Sequence, residues 1–200
     1  MNMVKIRQPI VTVVGHVDHG KTSILDFFRG SQIQEKESGG ITQKISYTKF
    51  PLTQIKNACP LINDHGVEIE MPGFLFIDTP GHAALTNLRT TGGSLADLAI
   101  LVVSIKDGIK PQTAEVLNIL KTYKAPFLIA LNKIDTISGW KHNVGGLKAS
   151  IQSQANHASQ EFQEALLTFQ GALNEHGFGS SLYYDSKDFS KEIAIVPCSA

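Results

Sequence analysis

The sequence is poor in charged residues and cysteine, and it has no long apolar run. Charged residues make up 18% of the 200 positions, and 18 basic side chains balance 18 acidic ones. This balance argues against strong non-specific binding to nucleic acid, which needs an excess of Lys and Arg. Two cysteines, Cys59 and Cys198, do not make a disulfide framework. No apolar stretch approaches the roughly 18 residues of a membrane helix, so we expect no membrane association.

The first nine residues lack the apolar core of a secretory signal. Together with the few cysteines, this favours a cytoplasmic protein in a reducing environment. The hydrophobic fraction of 42% suits a globular protein, and the length suits one domain with a substantial core. We therefore predict a single domain over residues 1–200. We also expect a monomer.

Apolar runs of strand length alternate with helical patterns. This alternation predicts an α/β fold with a mostly parallel sheet and helices on both faces. One helix is predicted over Pro111–Tyr123, because its apolar positions share one side and Pro suits a helix start. Residues 47–50 predict a further edge strand, for which an antiparallel orientation is open. The five predicted buried strands cover residues 10–14, 74–77, 98–103, 127–131 and 193–196.

Residues 147–176 predict one long amphipathic helix that stops at Gly177. Apolar residues recur there at helical spacing, which gives the helix one apolar stripe. The stripe is interpreted as core, and a groove for a partner is the alternative. Its members are Ile151, Ala155, Ala158, Phe162, Ala165, Leu166, Phe169 and Leu173.

Residues 15–22 match the phosphate-binding loop pattern of a glycine, four residues and Gly-Lys-Thr. Gly15 and Gly20 let the backbone turn tightly, so that successive N–H groups face the α- and β-phosphates. Lys21 can place a positive charge between the β- and γ-phosphates, and Thr22 can offer its hydroxyl to Mg²⁺. A Gly-rich turn without a ligand is the alternative. The candidate nucleotide-binding residues here are Val17, Asp18, His19, Gly20, Lys21, Thr22 and Ser23.

A second motif, Asp-Thr-Pro-Gly-His, occupies residues 78–82 directly after a predicted strand. The carboxyl ends of parallel strands form the ligand edge of such sheets, so Asp78 is expected to reach Mg²⁺ through a water. Gly81 can bring its N–H to a γ-phosphate, and His82 would then lie beside the line of attack on that phosphate. A surface turn is the alternative interpretation.

A third motif, Asn-Lys-Ile-Asp at residues 132–135, predicts the base-reading site. Asp135 can accept both N1–H and N2–H₂ of guanine, whereas a buried Asp135 would be left unpaired against adenine. Asn132 can bridge the base and the phosphate loop, and the Lys133 stem can lie along the ring face. Near the end of the chain, the small residues Ser199 and Ala200 let backbone N–H groups approach the base oxygen O6.

The polar stretch 30–44 predicts a mobile loop that contains Thr42. A threonine there can offer its hydroxyl to Mg²⁺ and its N–H to the γ-phosphate. Loss of the γ-phosphate would then release the loop, which makes an order–disorder switch. A flexible Gly-rich loop without this role is the alternative.

In this order, the motifs resemble the five nucleotide motifs of the translational GTPases. Residues 39–43, 95–103, 108–113 and 137–140 resemble more closely the initiation factor 5B family of archaea and eukaryotes, relatives of bacterial initiation factor 2. The resemblance covers nearly the whole chain. It implies a P-loop GTPase domain that binds GTP or GDP with Mg²⁺ and hydrolyses GTP slowly without the ribosome. It also implies a role in ribosomal subunit joining, with the large subunit and initiator tRNA as partners of the complete factor.

The resemblance also implies roles for individual residues. Val17 and Ile41 would form a hydrophobic gate that keeps His82 from the γ-phosphate until the ribosome rearranges the site. Asp18 would help to bind a monovalent cation, K⁺ or Na⁺. The catalytic residues would be His82, Lys21, Thr42 and Gly81, and the Mg²⁺ ligands would be Thr22, Thr42 and, through water, Asp78.

The family continues beyond Ala200 into a last helix of the GTPase domain and then further domains. We therefore expect a fragment of a longer multidomain factor that lacks this helix. Two other functions stay open at this point. One is a different translational GTPase that carries tRNA, and the other is a nucleotide-binding fragment without useful turnover.

Overall fold

The computed structural model describes residues 6–29, 46–59, 62, 69–78, 96–142 and 146–200. Its strands form one seven-stranded sheet in the order β2-β3-β1-β4-β5-β7-β6. The strands are β1 (Ile10–Gly15), β2 (Ser46–Pro51), β3 (Gly73–Asp78), β4 (Leu98–Ser104), β5 (Phe127–Asn132), β6 (Ser180–Leu182) and β7 (Ile193–Pro197).

All strand pairs are parallel except β2 with β3, which is antiparallel. The five predicted buried strands are confirmed, each one residue longer at one or both ends, and so is the antiparallel edge strand. Because β1, β3, β4, β5 and β7 run in one direction, their carboxyl ends lie at the same edge of the sheet. The segments that follow these ends are the ones that carry the predicted motifs.

Helices cover both faces of the sheet, as predicted. On one face, Leu25 and Ile55 pack with Val11, Val13 and other apolar strand residues. On the other face, helix residues such as Val116 and Phe162 pack against strand residues that include Leu101 and Ile129. The helices are α1 (Lys21–Arg29), α2 (Leu52–Ala58), α3 (Pro111–Tyr123), α4 (Leu147–Gln152) and α5 (Asn156–Glu175), and a short 3-10 helix covers Ile134–Thr136.

The prediction of one helix over residues 147–176 is wrong, because the chain breaks between α4 and α5. Gln154 is buried at the break. Its Nε2 donates to the carbonyls of Lys141 (2.7 Å) and Ser150 (2.8 Å), and its Oε1 accepts from the Lys141 N–H at 2.8 Å. These bonds hold the segment at Lys141 against the break between α4 and α5. Ala155, which follows Gln154, is exposed. The stop at Gly177 is confirmed by its φ of +85°.

The apolar stripe of α5 belongs to the core, as interpreted. Ala158, Phe162, Leu166, Phe169 and Leu173 are all buried. A groove for a partner at these positions is therefore excluded. Across the described ranges, none of the helices has the length and apolar content needed to cross a membrane.

Candidate functional site

The phosphate loop, residues 15–22, joins β1 to α1 and contains two positions that only glycine can occupy. Gly15 has φ +148°, and an added Cβ would lie 2.3 Å from the carbonyl oxygen of Val102. Gly20 has φ +93°, and its Cβ would lie 2.2 Å from Nδ2 of Asn132. Both distances are too short for any real Cβ contact. The loop is thus a tight cradle whose glycines cannot be replaced without moving backbone or a buried amide.

Lys21 and Thr22 form the first turn of α1 and are both buried. The Lys21 ammonium donates to the backbone carbonyl of His16 over 2.8 Å, so the side chain folds back across the loop. Its charge therefore lies over the loop at the amino end of a helix, where backbone N–H groups and the helix dipole favour an anion. This arrangement can hold phosphate groups.

Asn132 connects three of the predicted motifs. It is completely buried at the end of β5. Its Nδ2 donates to the carbonyl of His19 at 2.9 Å, and its Oδ1 accepts from the backbone N–H of Ala200 at 3.2 Å. The thiol of Cys198 lies 3.6 Å from the same Oδ1. The structure thus brings the phosphate loop, the Asn-Lys-Ile-Asp motif and the end of the chain together, as expected.

Burial raises the pKa of the Cys198 thiol to about 12. The thiol is therefore protonated at neutral pH and can act as a hydrogen-bond donor towards Asn132. The backbone carbonyl of Cys198 accepts from the N–H of Ile134 at 3.3 Å, which adds a second link between the two segments.

Asp135 and Ser199 meet across the predicted base site. The Ser199 hydroxyl donates to Oδ1 of Asp135 at 2.7 Å. Lys133 has φ +65°, and this left-handed residue turns the chain from β5 into the 3-10 helix that carries Asp135. The Asp135 side chain is exposed, whereas the sequence argument takes it as buried. The Asp135 carboxylate, which already accepts from one hydroxyl, can accept further hydrogen bonds from the edge of a ligand.

His19 is a buried member of the phosphate loop, with a side chain 2% exposed. Its Nδ1 lies 3.4 Å from the carbonyl oxygen of Val102, and its Nε2 lies 3.7 Å from a carboxylate oxygen of Asp107. Burial lowers the pKa of His19 to about 4, and the charges of His16 and Lys21 add to this. The imidazole is therefore neutral at physiological pH.

Three residues inside or beside the loop were not predicted as part of the site: His16, Asp107 and Gln112. Asp107 faces His19, and Gln112 at the start of α3 approaches Nδ1 of His16 with its Oε1 at 2.5 Å. The His16 and His19 rings pack edge to face, with centroids 5.1 Å apart. His16 could have been found from its place inside the motif. Gln112 lies in the segment 108–113 that carries the family resemblance, but nothing in the sequence links Gln112 or Asp107 to the loop.

The remaining predicted residues are only partly described. Val17, Asp18 and Ser23 lie in or directly after the loop as expected, with Asp18 exposed at φ +64°. Asp78 ends β3 at the ligand edge, but its side chain is not among those described. In the described segments, no group of three or more His, Cys, Asp or Glu could hold a metal ion. Thr42, Gly81, His82 and Ile41 lie outside the described residues.

Comparison with known proteins identifies the family. Residues 6–200 match the family described as the elongation factor Tu GTP binding domain. The chain belongs to the translational GTPases. GTP hydrolysis is general to this family, whose GTPase domains bind GTP or GDP with Mg²⁺.

Among the relatives of this translational GTPase are proteins named probable translation initiation factor IF-2. The one from Methanopyrus kandleri is 49% identical over 97% of this chain, and the one from Thermococcus sibiricus is 51% identical over 99% of it. The chain spans about one third of the length of these curated relatives, 33% and 34% respectively.

Solved structures agree with this placement. The GDP-bound aIF5B from Aeropyrum pernix is similar with a TM-score of 0.81 and 47% identity, over 98% of this chain and 33% of that one. The elongation factor SelB from Methanococcus maripaludis, solved with the GTP analogue GppNHp, has a TM-score of 0.55 and 20% identity, over 98% of this chain and 31% of that one. The second likeness shows a shared fold alone.

Proposed function

We propose that this chain is the GTP-binding and GTP-hydrolysing switch domain of a translation initiation factor that promotes joining of the ribosomal subunits. The observation that carries the proposal is the buried amide of Asn132. It contacts both His19 in the phosphate loop and Ala200, which lies three residues after the end of β7. One side chain thereby sets the distance between a triphosphate cradle and a base site. The relatives named as initiation factors support the translational role.

In this proposal, the phosphate loop holds the triphosphate. Gly15 and Gly20 allow the tight turn that brings backbone N–H groups to phosphate oxygens, because a Cβ at either position would collide with Val102 or Asn132. Lys21 leaves the carbonyl of His16 to meet the β- and γ-phosphates. Thr22, and with it Thr42 and a water on Asp78, would hold Mg²⁺. The ion supplies charge that stabilises the transferring phosphoryl group.

The base site is proposed to select guanine. The carboxylate of Asp135 accepts the two donors of the guanine edge, while the hydroxyl of Ser199 fixes its orientation across 2.7 Å. The stem of Lys133 covers the ring face. The backbone N–H of Ser199 approaches the base oxygen, and that of Ala200 is shared between the base oxygen and Oδ1 of Asn132. A site built on such paired donors and an acceptor discriminates strongly against a base that lacks them.

Hydrolysis is proposed to proceed by in-line attack of water on the γ-phosphate. His82 positions the water or stabilises the charge that develops, and the N–H of Gly81 faces the γ-phosphate. Val17 and Ile41 form the gate that keeps His82 away until the ribosome changes the site. Turnover is therefore slow in the isolated domain, because positioning supplies most of the catalysis in this reaction class.

The partners follow from the same proposal. The complete factor, of which this chain is the GTPase domain, works as a cytoplasmic monomer and contacts the large ribosomal subunit and initiator tRNA. Asp18 is exposed within the loop, where it can contribute to a site for K⁺ or Na⁺ next to the phosphates. The zero net charge of the chain fits a domain that shares its ribosome contacts with other parts of the factor.

Single-turnover GTP hydrolysis by the full-length factor, with and without ribosomes, tests this function. We expect stimulation by ribosomes in the wild type and its loss in His82→Ala, with nearly unchanged GTP affinity. The exposed His142 provides the matched control, and His142→Ala should keep the wild-type stimulation. Equal stimulated rates for His82→Ala and the wild type would contradict the role of His82.

Two other outcomes would point to different functions. Hydrolysis that ribosomes do not stimulate would favour a nucleotide-binding domain without useful turnover. Direct binding of aminoacyl-tRNA without any effect on subunit joining would favour a tRNA carrier.

A further inference from the structure

We propose that Asp107 is a positioning residue for the phosphate loop, which it holds through the imidazole of His19. The expected effect on nucleotide release rests on the proposed function, whereas the contact between Asp107 and His19 does not. Asp107 lies outside the five nucleotide motifs, in the turn between β4 and α3.

His19 is enclosed between two hydrogen-bond acceptors. The carbonyl oxygen of Val102 faces Nδ1 at 3.4 Å, and the carboxylate of Asp107 faces Nε2 at 3.7 Å. The first distance is at the long limit for a hydrogen bond, and the second is beyond it. Nε2 is fully buried and has no hydrogen-bond partner within the described part of the chain.

A neutral imidazole carries one N–H, so it can donate to only one of these acceptors at a time. A hydrogen bond to a carboxylate is roughly twice as strong as a bond between neutral groups. A shift of less than about 1 Å would bring Nε2 within bonding distance of Asp107. The Val102 carbonyl is the nearer acceptor in the structure, but we expect the carboxylate, as the stronger acceptor, to compete with it for the single imidazole proton and to favour the Nε2–H form.

The turn that carries Asp107 is itself fixed at the ligand edge of the sheet. The N–H of Ile105 donates to the carbonyl of Asn132 at 2.9 Å, and the N–H of Gly108 donates to the carbonyl of Ser104 at 3.1 Å. Lys110 lies 3.4 Å from the other carboxylate oxygen of Asp107. The backbone of Asp107 thus belongs to a braced turn, and its carboxylate, although 42% exposed, lies between Lys110 and His19.

Contacts of the two histidines transmit this constraint to the loop. The His19 ring packs on His16, whose own Nδ1 is contacted by Gln112. The backbone carbonyl of His19 accepts the Asn132 amide, and that of His16 accepts the Lys21 ammonium. A displaced His19 ring would therefore move the backbone that presents N–H groups and Lys21 to phosphate. Asp107 is expected to slow nucleotide release by holding this ring.

The first test reads the imidazole directly. The chain is labelled with ¹⁵N in histidine, and the His19 signals are assigned by their loss in His19→Gln. In the nucleotide-free wild type at pH 7.5, the Nε2–H form should predominate. In Asp107→Asn, the Nδ1–H form should predominate, because the new amide can donate to Nε2. The same tautomer in both proteins would overturn the proposal.

The second test measures release of a fluorescent GDP analogue by stopped flow. Asp107→Asn should release it about 3- to 10-fold faster, the effect expected when a neutral amide contact replaces a charge-assisted hydrogen bond of roughly twice its strength. Glu161→Gln is the control, because Glu161 lines the same cavity as Asp107. The carbonyl oxygen of the new glutamine can still accept from the Ser138 N–H, as the carboxylate of Glu161 does. The control should remain within about twofold of the wild type.

The two tests separate this inference from the proposed function. A tautomer shift with unchanged release, or equal acceleration in Glu161→Gln, would overturn the positioning role. A wild type that binds no GDP would contradict the proposed function, while a tautomer shift in Asp107→Asn would still support the contact with His19.

Discussion

The amide of Asn132 donates to the backbone carbonyl of His19 across 2.9 Å, although 113 residues separate them in sequence. Both groups are buried, and β1, β4 and β5 bring them together because these three strands are neighbours in the sheet. The Asn132 side chain therefore links the phosphate loop to the proposed base site. Mutations at Asn132 should affect stability and nucleotide binding together.

Replacing Asn132 with Ala should destabilise the chain and weaken GDP binding. The change leaves the buried His19 carbonyl without this partner, which costs about 1–3 kcal/mol, and it also removes the acceptor of the N–H of the exposed Ala200. Urea unfolding without nucleotide measures the first effect, and calorimetric titration with GDP measures the second.

Gln154→Ala is the control, because Gln154 is also a buried amide but bonds to the segment at Lys141. It should lose stability and retain GDP affinity. A similar loss of GDP affinity in both variants would contradict the special position of Asn132.

Gly20→Ala should abolish tight nucleotide binding. A Cβ there would meet Nδ2 of Asn132 at 2.2 Å, and a φ of +93° is strained for alanine. We expect at least about a tenfold loss of GDP affinity, because backbone strain and the clash together should cost more than about 1.4 kcal/mol of binding free energy. Gly171→Ala is the matched control. It lies within α5 with no heavy atom within 4 Å of an added Cβ, so it should raise stability by about 0.5–1 kcal/mol and leave GDP binding unchanged. Normal GDP affinity in Gly20→Ala would show that the loop can adapt.

Local patterns predict most of this fold, because the buried parallel strands consist of continuous apolar runs. The short strand β6 was not predicted, since Ser-Ser-Leu has no strand signal and depends on its pairing with β7. The break before α5 was missed for a similar reason. Helical periodicity continues through it, and the decisive bonds of Gln154 reach a residue 13 positions away.

In the candidate site, too, some contacts follow from sequence motifs and others depend on the folded sheet. Motif spacing predicts that the loop, Asn132 and the end of the chain come together, and the structure agrees. The roles of Asp107 and Gln112 cannot be read from the sequence. Each acts through a histidine about 90 residues earlier, and that proximity exists only after β1 and β4 have paired.

His19 should make stability depend on pH below neutrality. Its folded-state pKa is lowered from 6.5 to about 4, so the unfolded chain binds the proton first as the pH falls. The stabilising contribution of neutral His19 to the free energy of unfolding is therefore present in full above about pH 6.5 and is lost progressively towards pH 4. Between pH 7 and pH 5 we expect this group to remove on the order of 2 kcal/mol from the free energy of unfolding. Urea titrations at both values measure it. His19→Gln should show a smaller decline, and His142→Gln, at an exposed site, should keep the wild-type decline. An equal decline in His19→Gln would assign the effect to other groups.

Asp135→Asn should move base preference from GTP towards xanthosine triphosphate. Xanthine carries an oxygen where guanine carries its N2 amine, so an amide that donates there replaces a carboxylate that accepts. We expect the ratio of the two affinities to change by at least about tenfold in a competition assay, because each base would leave the wrong variant with unpaired polar groups. Ser199→Ala is the companion variant. It removes the hydroxyl that donates to Asp135 at 2.7 Å, and it should weaken GTP binding while preference for guanine persists. Unchanged preference for GTP in Asp135→Asn would mean that another group reads the base.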